Sequence, residues 1–341
     1  MIDHATEEEV RRAAASLEVL RAVLGRVLFG QEEVIDTVVV GLLSSGHILL
    51  EGLPGLGKTA LVKALAHALD LTASRIQFTP DLLPGDITGN PILQEVDGRR
   101  AFVFEPGPLF GNIVLADEVN RASPKTQSAL LEAMQERRVT VLGRTHVLPD
   151  PFFVLATQNP IELEGTYPLP EAQLDRFLFK VEIHGNSVPV LEKIVTERQL
   201  GVEPEMERAL SRDDLGRLIA LSRRIYVPEA VANYIARLVD ATHPGRSSAS
   251  AGVKFGASPR AALGLAAGAR SRALLSGRMN AGFEDARAVA PAVLRHRIIL
   301  DYNARLDGSS TAGVVDAVLE EVPFQARELP STLSRAKHGT R

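Results

Sequence analysis

A chain of 341 residues with 45% hydrophobic content can bury one or two cores, so two domains or subdomains are expected. The absence of cysteine excludes disulfides and thiolate metal sites, and a formal net charge of −4 supplies no general attraction to nucleic acid. The start, "MIDHATEEEVRRAAASLEVL", lacks a basic-then-apolar leader, and no apolar run approaches the ~18 residues needed to cross a bilayer. A cytoplasmic chain without a membrane span is expected.

Taken in chain order, the first thirty or so residues carry helical periodicity up to "FGQEEV", where Gly30 can break the pattern and a second helix, Glu32 to Leu43, begins. From His47 to about Ile183 apolar strands alternate with helical stretches. The strand candidates are "HILLEG", "SRIQFT", "NIVLADEV", "FFVLATQN" and "FLFKVEI". Such alternation predicts a parallel sheet covered by helices on both faces. From Val190 to about Glu321 the strands stop and the pattern is helical, broken by the Gly/Ser/Pro-rich "HPGRSSASAGVKFGASPR". Residues 1–184 are therefore expected to form an α/β domain and 185–325 an all-helical one. The polar, basic 326–341 reads as a disordered tail.

The first strand candidate runs into "EGLPGLGKTALVKAL". Gly52, Gly57, Lys58 and Thr59 fit the phosphate-loop template of Gly, four residues, Gly-Lys-Ser/Thr, set between a strand and a helix as that template requires. Glycines let successive backbone N–H groups turn inward on a phosphate chain, which also meets the positive end of the following helix. The expected nucleotide contacts are Gly52, Pro54, Gly55, Leu56, Gly57, Lys58, Thr59 and Ala60, with Lys58 on the β- and γ-phosphates and the Thr59 hydroxyl on Mg²⁺.

Hydrolysis needs further parts. "NIVLADEVN" runs apolar residues into Asp117 and Glu118, which places acids at the carboxyl edge of the sheet, where ligands of such folds bind. Asp117 can hold Mg²⁺ through its water shell and Glu118 can polarise the attacking water. An isolated Asp-Glu pair would more readily cap the next helix; the phosphate loop upstream tips the balance. Asn159 ends the next strand, where its amide can meet both the γ-phosphate and the water. Two arginines stand out: Arg176, in "LPEAQLDRFLF" before the last strand, and Arg260, in "GASPRAAL", where Pro259 suits a helix start. Either could be an ordinary surface arginine, but arginine is the residue that stabilises a transferring phosphoryl group, often from a neighbouring subunit.

The ordered set "EGLPGLGKT", "LADEVNRASPKTQSALLEAMQE", "ATQNP", "EGTYPLPEAQLDRF" and "GASPRA" resembles the MoxR family of AAA+ ATPases, from about Leu28 to Phe324. The resemblance implies an αβα nucleotide domain, a helical lid and an ATP-dependent, Mg²⁺-requiring ring, commonly a hexamer. By match of motif it gives Lys58 and Thr59 the Walker A role, Asp117 and Glu118 the Walker B role, Asn159 sensor one, Arg176 the arginine finger and Arg260 sensor two. It leaves open whether Arg260 acts on its own subunit's nucleotide or a neighbour's. The family is also similar to magnesium-chelatase ATPase subunits in carrying inserted hairpins, and "ITGNPILQEVDGRRAFVFEPG" and "RRVTVLGRTHVLPD" have the alternation and turn residues of hairpins.

Family membership implies a chaperone-like use of ATP to remodel or activate a partner, often one with a metal-binding von Willebrand factor A domain. This chain shows no "DxSxS" metal motif, so such a partner would be a separate polypeptide. Between Asp81 and Gly98 no aromatic residue is found, which argues against processive threading of substrate. The alternatives are a nucleic-acid motor or a magnesium-chelatase-like ATPase subunit. The short basic clusters "DGRR" and "RR" read as solvated turns, so no nucleic-acid partner is expected. The "GAFTGA" loop of sigma-54 activators is absent.

Overall fold

In the computed structural model, the residues described are 5–52, 57–96, 99–159, 166–183, 185–199, 202 and 206–325. The chain opens with α1 (Glu7–Gly25), α2 (Glu32–Leu43), β1 (Ile48–Glu51), α3 (Lys58–Ala68), β2 (Ala73–Gln77) and α4 (Pro84–Thr88). The hairpin β3 (Gly89–Val96) and β4 (Arg99–Pro106) follows, then β5 (Ile113–Asp117), α5 (Pro124–Glu136), a second hairpin of β6 (Arg138–Val141) and β7 (Arg144–Val147), β8 (Phe153–Gln158), α6 (Glu171–Leu174) and β9 (Phe179–Glu182). The remainder comprises α7 (Val188–Glu197), α8 (Arg212–Arg224), α9 (Glu229–Ala241), β10 (Val253–Phe255), α10 (Pro259–Leu275), α11 (Phe283–Leu294), β11 (Ile299–Leu300), α12 (Tyr302–Leu306) and α13 (Thr311–Glu321).

All five strand candidates join one parallel sheet, in the order β2-β5-β8-β1-β9. Successive side chains of a strand point to opposite faces, and both faces here are covered. Ile48 and Leu50 enter a core built with α1–α3 and the C-terminal helices, whereas Leu49 enters a second core with α5. That explains why the strands read as continuous apolar runs rather than alternating ones. Placing β8 between β5 and β1 gathers the ends of three strands at one edge, where Asp117 ends β5 and Gly52 and Asn159 directly follow β1 and β8.

The first helix ends at Gly25, short of the glycine at which its pattern was expected to break, and starts with a capping box of Thr6 and Glu9. Gly30 lies beyond it with φ of 66°, a left-handed turn that glycine adopts without strain. Both inserted hairpins are present, and a ring stack of Phe104 on His146 at 3.8 Å joins them. The expectation that strands cease after Ile183 needs correction, because β10 and β11 form a small antiparallel pair within the helical part. With three and two residues they are too short to leave a periodic signal. Around them, α10 packs against α1, α2, α8, α9 and α11, so the N-terminal helices and the C-terminal helices share one core. The expected tail at 326–341 lies outside the described residues.

Candidate active site

Beyond β1, the chain must turn sharply into α3, and two glycines meet that demand. Gly57 has φ of +81°, a conformation other residues adopt only with strain, and a Cβ on Gly52 would lie 2.7 Å from the Ile183 carbonyl oxygen. Pro54, Gly55 and Leu56 lie outside the described residues. Gly57 is the N-cap of α3, so Lys58, Thr59 and Ala60 form its first turn, whose backbone N–H groups lack intrahelical acceptors.

A cavity of about 380 Å³ opens beside this turn, lined by Gly52, Gly57, Lys58, Thr59, Ala60, Arg75, Gln77, Asp117, Glu118, Thr157 and Asn159. Every described residue expected from the phosphate loop, together with Asp117, Glu118 and Asn159, is there, and Arg176 and Arg260 are not. The Lys58 ammonium donates to the Gly52 carbonyl at 2.6 Å. Burial pulls its pKa below the ordinary lysine value, while the charges of Asp117, Glu118 and Glu51 act in the opposite sense. An ammonium so placed gains from an anion brought into the cavity.

The acids are held in position. The Thr157 hydroxyl donates to Asp117 Oδ1 at 2.6 Å and accepts the Glu118 N–H at 2.9 Å. Arg75 Nη2 donates to Asp117 Oδ2 at 2.7 Å, and Gln77 Nε2 donates to Glu118 Oε2 at 2.7 Å. Arg121 also reaches Glu118, at 2.9 Å. Glu118 itself has φ of 56°, a left-handed conformation uncommon for a residue other than glycine. Asn159 is 9% exposed, directly after β8. The donor set fits Mg²⁺: the Thr59 hydroxyl and the Asp117 carboxylate are hard oxygen ligands facing the same cavity as Lys58.

Arg75, Gln77 and Thr157 were not singled out from the sequence. The signal for the first two was present in "SRIQFT", where polar residues alternate with the buried Ile76 and Phe78; the parallel register that sets Gln77 beside Asp117 was not.

The two arginines lie elsewhere. Arg176 lines a separate cavity of about 200 Å³ with Glu132, Gln135, Glu136 and Gln173. Arg260 stands in the first turn of α10, as expected from Pro259, but its guanidinium faces Asp175 at 3.5 Å with half of the side chain exposed. Neither is among the residues lining the phosphate cavity. Asp175 thus joins them, as neighbour of one in sequence and of the other in space.

Residues 47–179 match the model of the ATPase family associated with various cellular activities (AAA), and residues 246–320 match an AAA lid domain. The chain is 46% identical over 323 residues to Chaperone MoxR1 of Mycobacterium tuberculosis, covering 91% of this chain and 85% of that one. It is 32% identical over 344 residues to Protein MoxR of Methylorubrum extorquens, covering 92% and 95%. The crystal structure of a Cytophaga hutchinsonii protein described as a candidate ATPase superposes with a TM-score of 0.87 at 40% identity, covering 93% of this chain and 97% of that one.

Proposed function

Because the chain belongs to the MoxR family of AAA+ ATPases, we propose that it binds ATP with Mg²⁺ in the cavity at the ends of β1, β5 and β8 and hydrolyses it to ADP and phosphate. The observation that carries this reading is the convergence of Lys58, Thr59, Asp117, Glu118 and Asn159 on one cavity. The α3 N-terminus and Lys58 bind the phosphates, Thr59 and Asp117 hold the metal, Glu118 takes the proton of the attacking water, and Asn159 orients that water. Bound Mg²⁺ supplies neutralisation of the charge that develops on the phosphate oxygens. Gln77 and Arg75 hold the two acids at the cavity.

One site in one chain is then incomplete, since Arg176 and Arg260 stand apart from it. Both are proposed to serve the nucleotide of a neighbouring subunit in a closed, head-to-tail ring, commonly a hexamer in this family.

The work done by the cycle is proposed to be remodelling or activation of a separate protein, with a von Willebrand factor A domain as the leading class of partner. The two hairpins present apolar side chains to solvent, Leu93 and Phe102 on the first and Leu142 and Val147 on the second, which suits a protein surface better than a phosphate backbone. Phe102 also qualifies the argument against threading, because an exposed aromatic lies on the strand paired with the segment in which none was found.

The test is Glu118→Gln. It should keep ATP binding, lose Mg²⁺-dependent hydrolysis by about 10²-fold or more, and hold partners in the ATP state for recovery from cells. Hydrolysis at the unaltered rate would remove Glu118 from its role, and recovery of nucleic acid alone would overturn the remodelling reading.

A further inference from the structure

Arg297 is among the few charged side chains buried in this molecule, with its side chain only 3% exposed. It follows α11, and its surroundings belong to the turn between α6 and β9. Its Nε donates to Asp175 Oδ1 at 2.8 Å, Nη1 donates to the carbonyls of Leu178 at 3.1 Å and of Val293, and Nη2 donates to the carbonyls of Asp175 at 3.2 Å and Phe177 at 2.6 Å. A guanidinium has five N–H donors in a rigid fork, and each has an acceptor here. Four of those acceptors belong to residues 175–178, which bracket Arg176. His296 adds a bond from Nε2 to the Phe177 carbonyl at 3.1 Å, and the Ser258 hydroxyl reaches both Asp175 oxygens at 3.2 Å.

A buried guanidinium is costly, and burial does pull the Arg297 pKa below the arginine range while Asp175 opposes it. A core of this type could close with an apolar side chain instead. What a fork of five directed donors does, and an apolar side chain cannot, is fix the path of an irregular backbone turn. We propose that Arg297 is a positioning residue for Arg176: the C-terminal helices hold the 175–178 turn through it, so that the Arg176 guanidinium is presented in one geometry to the neighbouring subunit's γ-phosphate. This rests on the reading that Arg176 acts between subunits.

The consequences differ from those of simple destabilisation. Arg297→Met keeps the bulk and loses the donors; Arg297→Lys keeps the charge and loses the fork. In the assembled protein, Arg297→Met should lower kcat by about 10²-fold, the loss associated with ~1 Å of misplacement, with KM for ATP little changed and Arg297→Lys in between. Amide exchange within 175–178 should rise in the same order. The decisive arm is mixing. Arg297→Met subunits retain an intact phosphate loop, so together with Lys58→Ala subunits, which retain an intact turn, they should recover activity. Mixed with Arg176→Ala subunits they should not, since both lack a working finger. Recovery of Arg176→Ala with Lys58→Ala, without recovery of Arg297→Met with Lys58→Ala, overturns the role of Arg297 alone. If Arg176→Ala recovers with neither, the reading between subunits falls and the proposal falls with it. Asp175→Asn, which keeps the shape of the clamp and weakens its charge, should show a milder form of the same kcat loss. An unchanged kcat in both Arg297→Lys and Asp175→Asn would also overturn it.

Discussion

At the ends of β1, β5 and β8 the charged side chains face an open cavity and are held by polar neighbours, Asp117 by Thr157, Glu118 by Gln77 and Lys58 by a carbonyl. Around Asp175 the charged side chains face packed helices, and one of them, Arg297, is nearly enclosed. The first region has room for a ligand. The second is closed by the Arg297 contacts to residues 175–178, which flank Arg176. A receiving half and a supplying half on one chain are what a ring of identical subunits needs at each interface.

The sharpest way to break this comparison is to damage each half separately. Lys58→Ala should abolish most ATP binding, whereas Arg176→Ala should bind ATP as before and lose turnover by ~10³-fold or more, as fluorescent-nucleotide titration and phosphate release would show. Loss of ATP binding in Arg176→Ala would place both halves in one site. Arg260→Ala comes next. It should reduce the preference for ATP over ADP by about tenfold, since a charge-assisted contact to the γ-phosphate is lost. An unchanged preference in the assembled protein would remove Arg260 from the nucleotide altogether.

The smallest effect concerns pH and falls on the second half. Burial and the neighbouring positive charges of Arg297 and Lys180 hold the His296 pKa well below the ordinary 6.5, and its Nδ1 has no acceptor to receive a proton's hydrogen bond. Burial likewise brings His47 to about 4. The unfolded chain therefore takes up protons that the folded chain refuses, so stability is complete above about pH 6.5 and declines as pH falls below it. His296→Gln should flatten part of that slope in thermal melts at pH 5 to 7, with His47 accounting for the remainder, and should leave ATP binding unaltered. A slope unaffected by His296→Gln would mean that this histidine does not titrate differently on folding.

The receiving half was largely legible in the sequence because its parts obey local rules. A glycine-rich turn between strand and helix, and acids or amides ending apolar strands, can each be read within about ten residues. Sheet order then places Lys58, Asp117, Glu118 and Asn159 together. Gln77 and Arg75 became visible only with that order, since nothing in a strand names its neighbour. The supplying half was legible as two arginines and no more. Arg297 lies 122 residues beyond Asp175, and their contact is made by packing of α11 against the β9 side of the sheet, a tertiary fact without a local pattern. The strands β10 and β11 were missed for a related reason, being too short to show a period.

The division of one site between two chains is tested most directly by complementation. Lys58→Ala subunits and Arg176→Ala subunits should each be nearly inactive alone and regain ATPase activity on mixing, because an Arg176→Ala subunit keeps a usable phosphate loop and can receive the arginine of a Lys58→Ala neighbour. With random assembly about a quarter of interfaces pair this way, and against a background lowered ~10³-fold that fraction is readily measured. No recovery, with subunit exchange demonstrated directly in the same mixture, would contradict the account and return Arg176 to its own chain's chemistry.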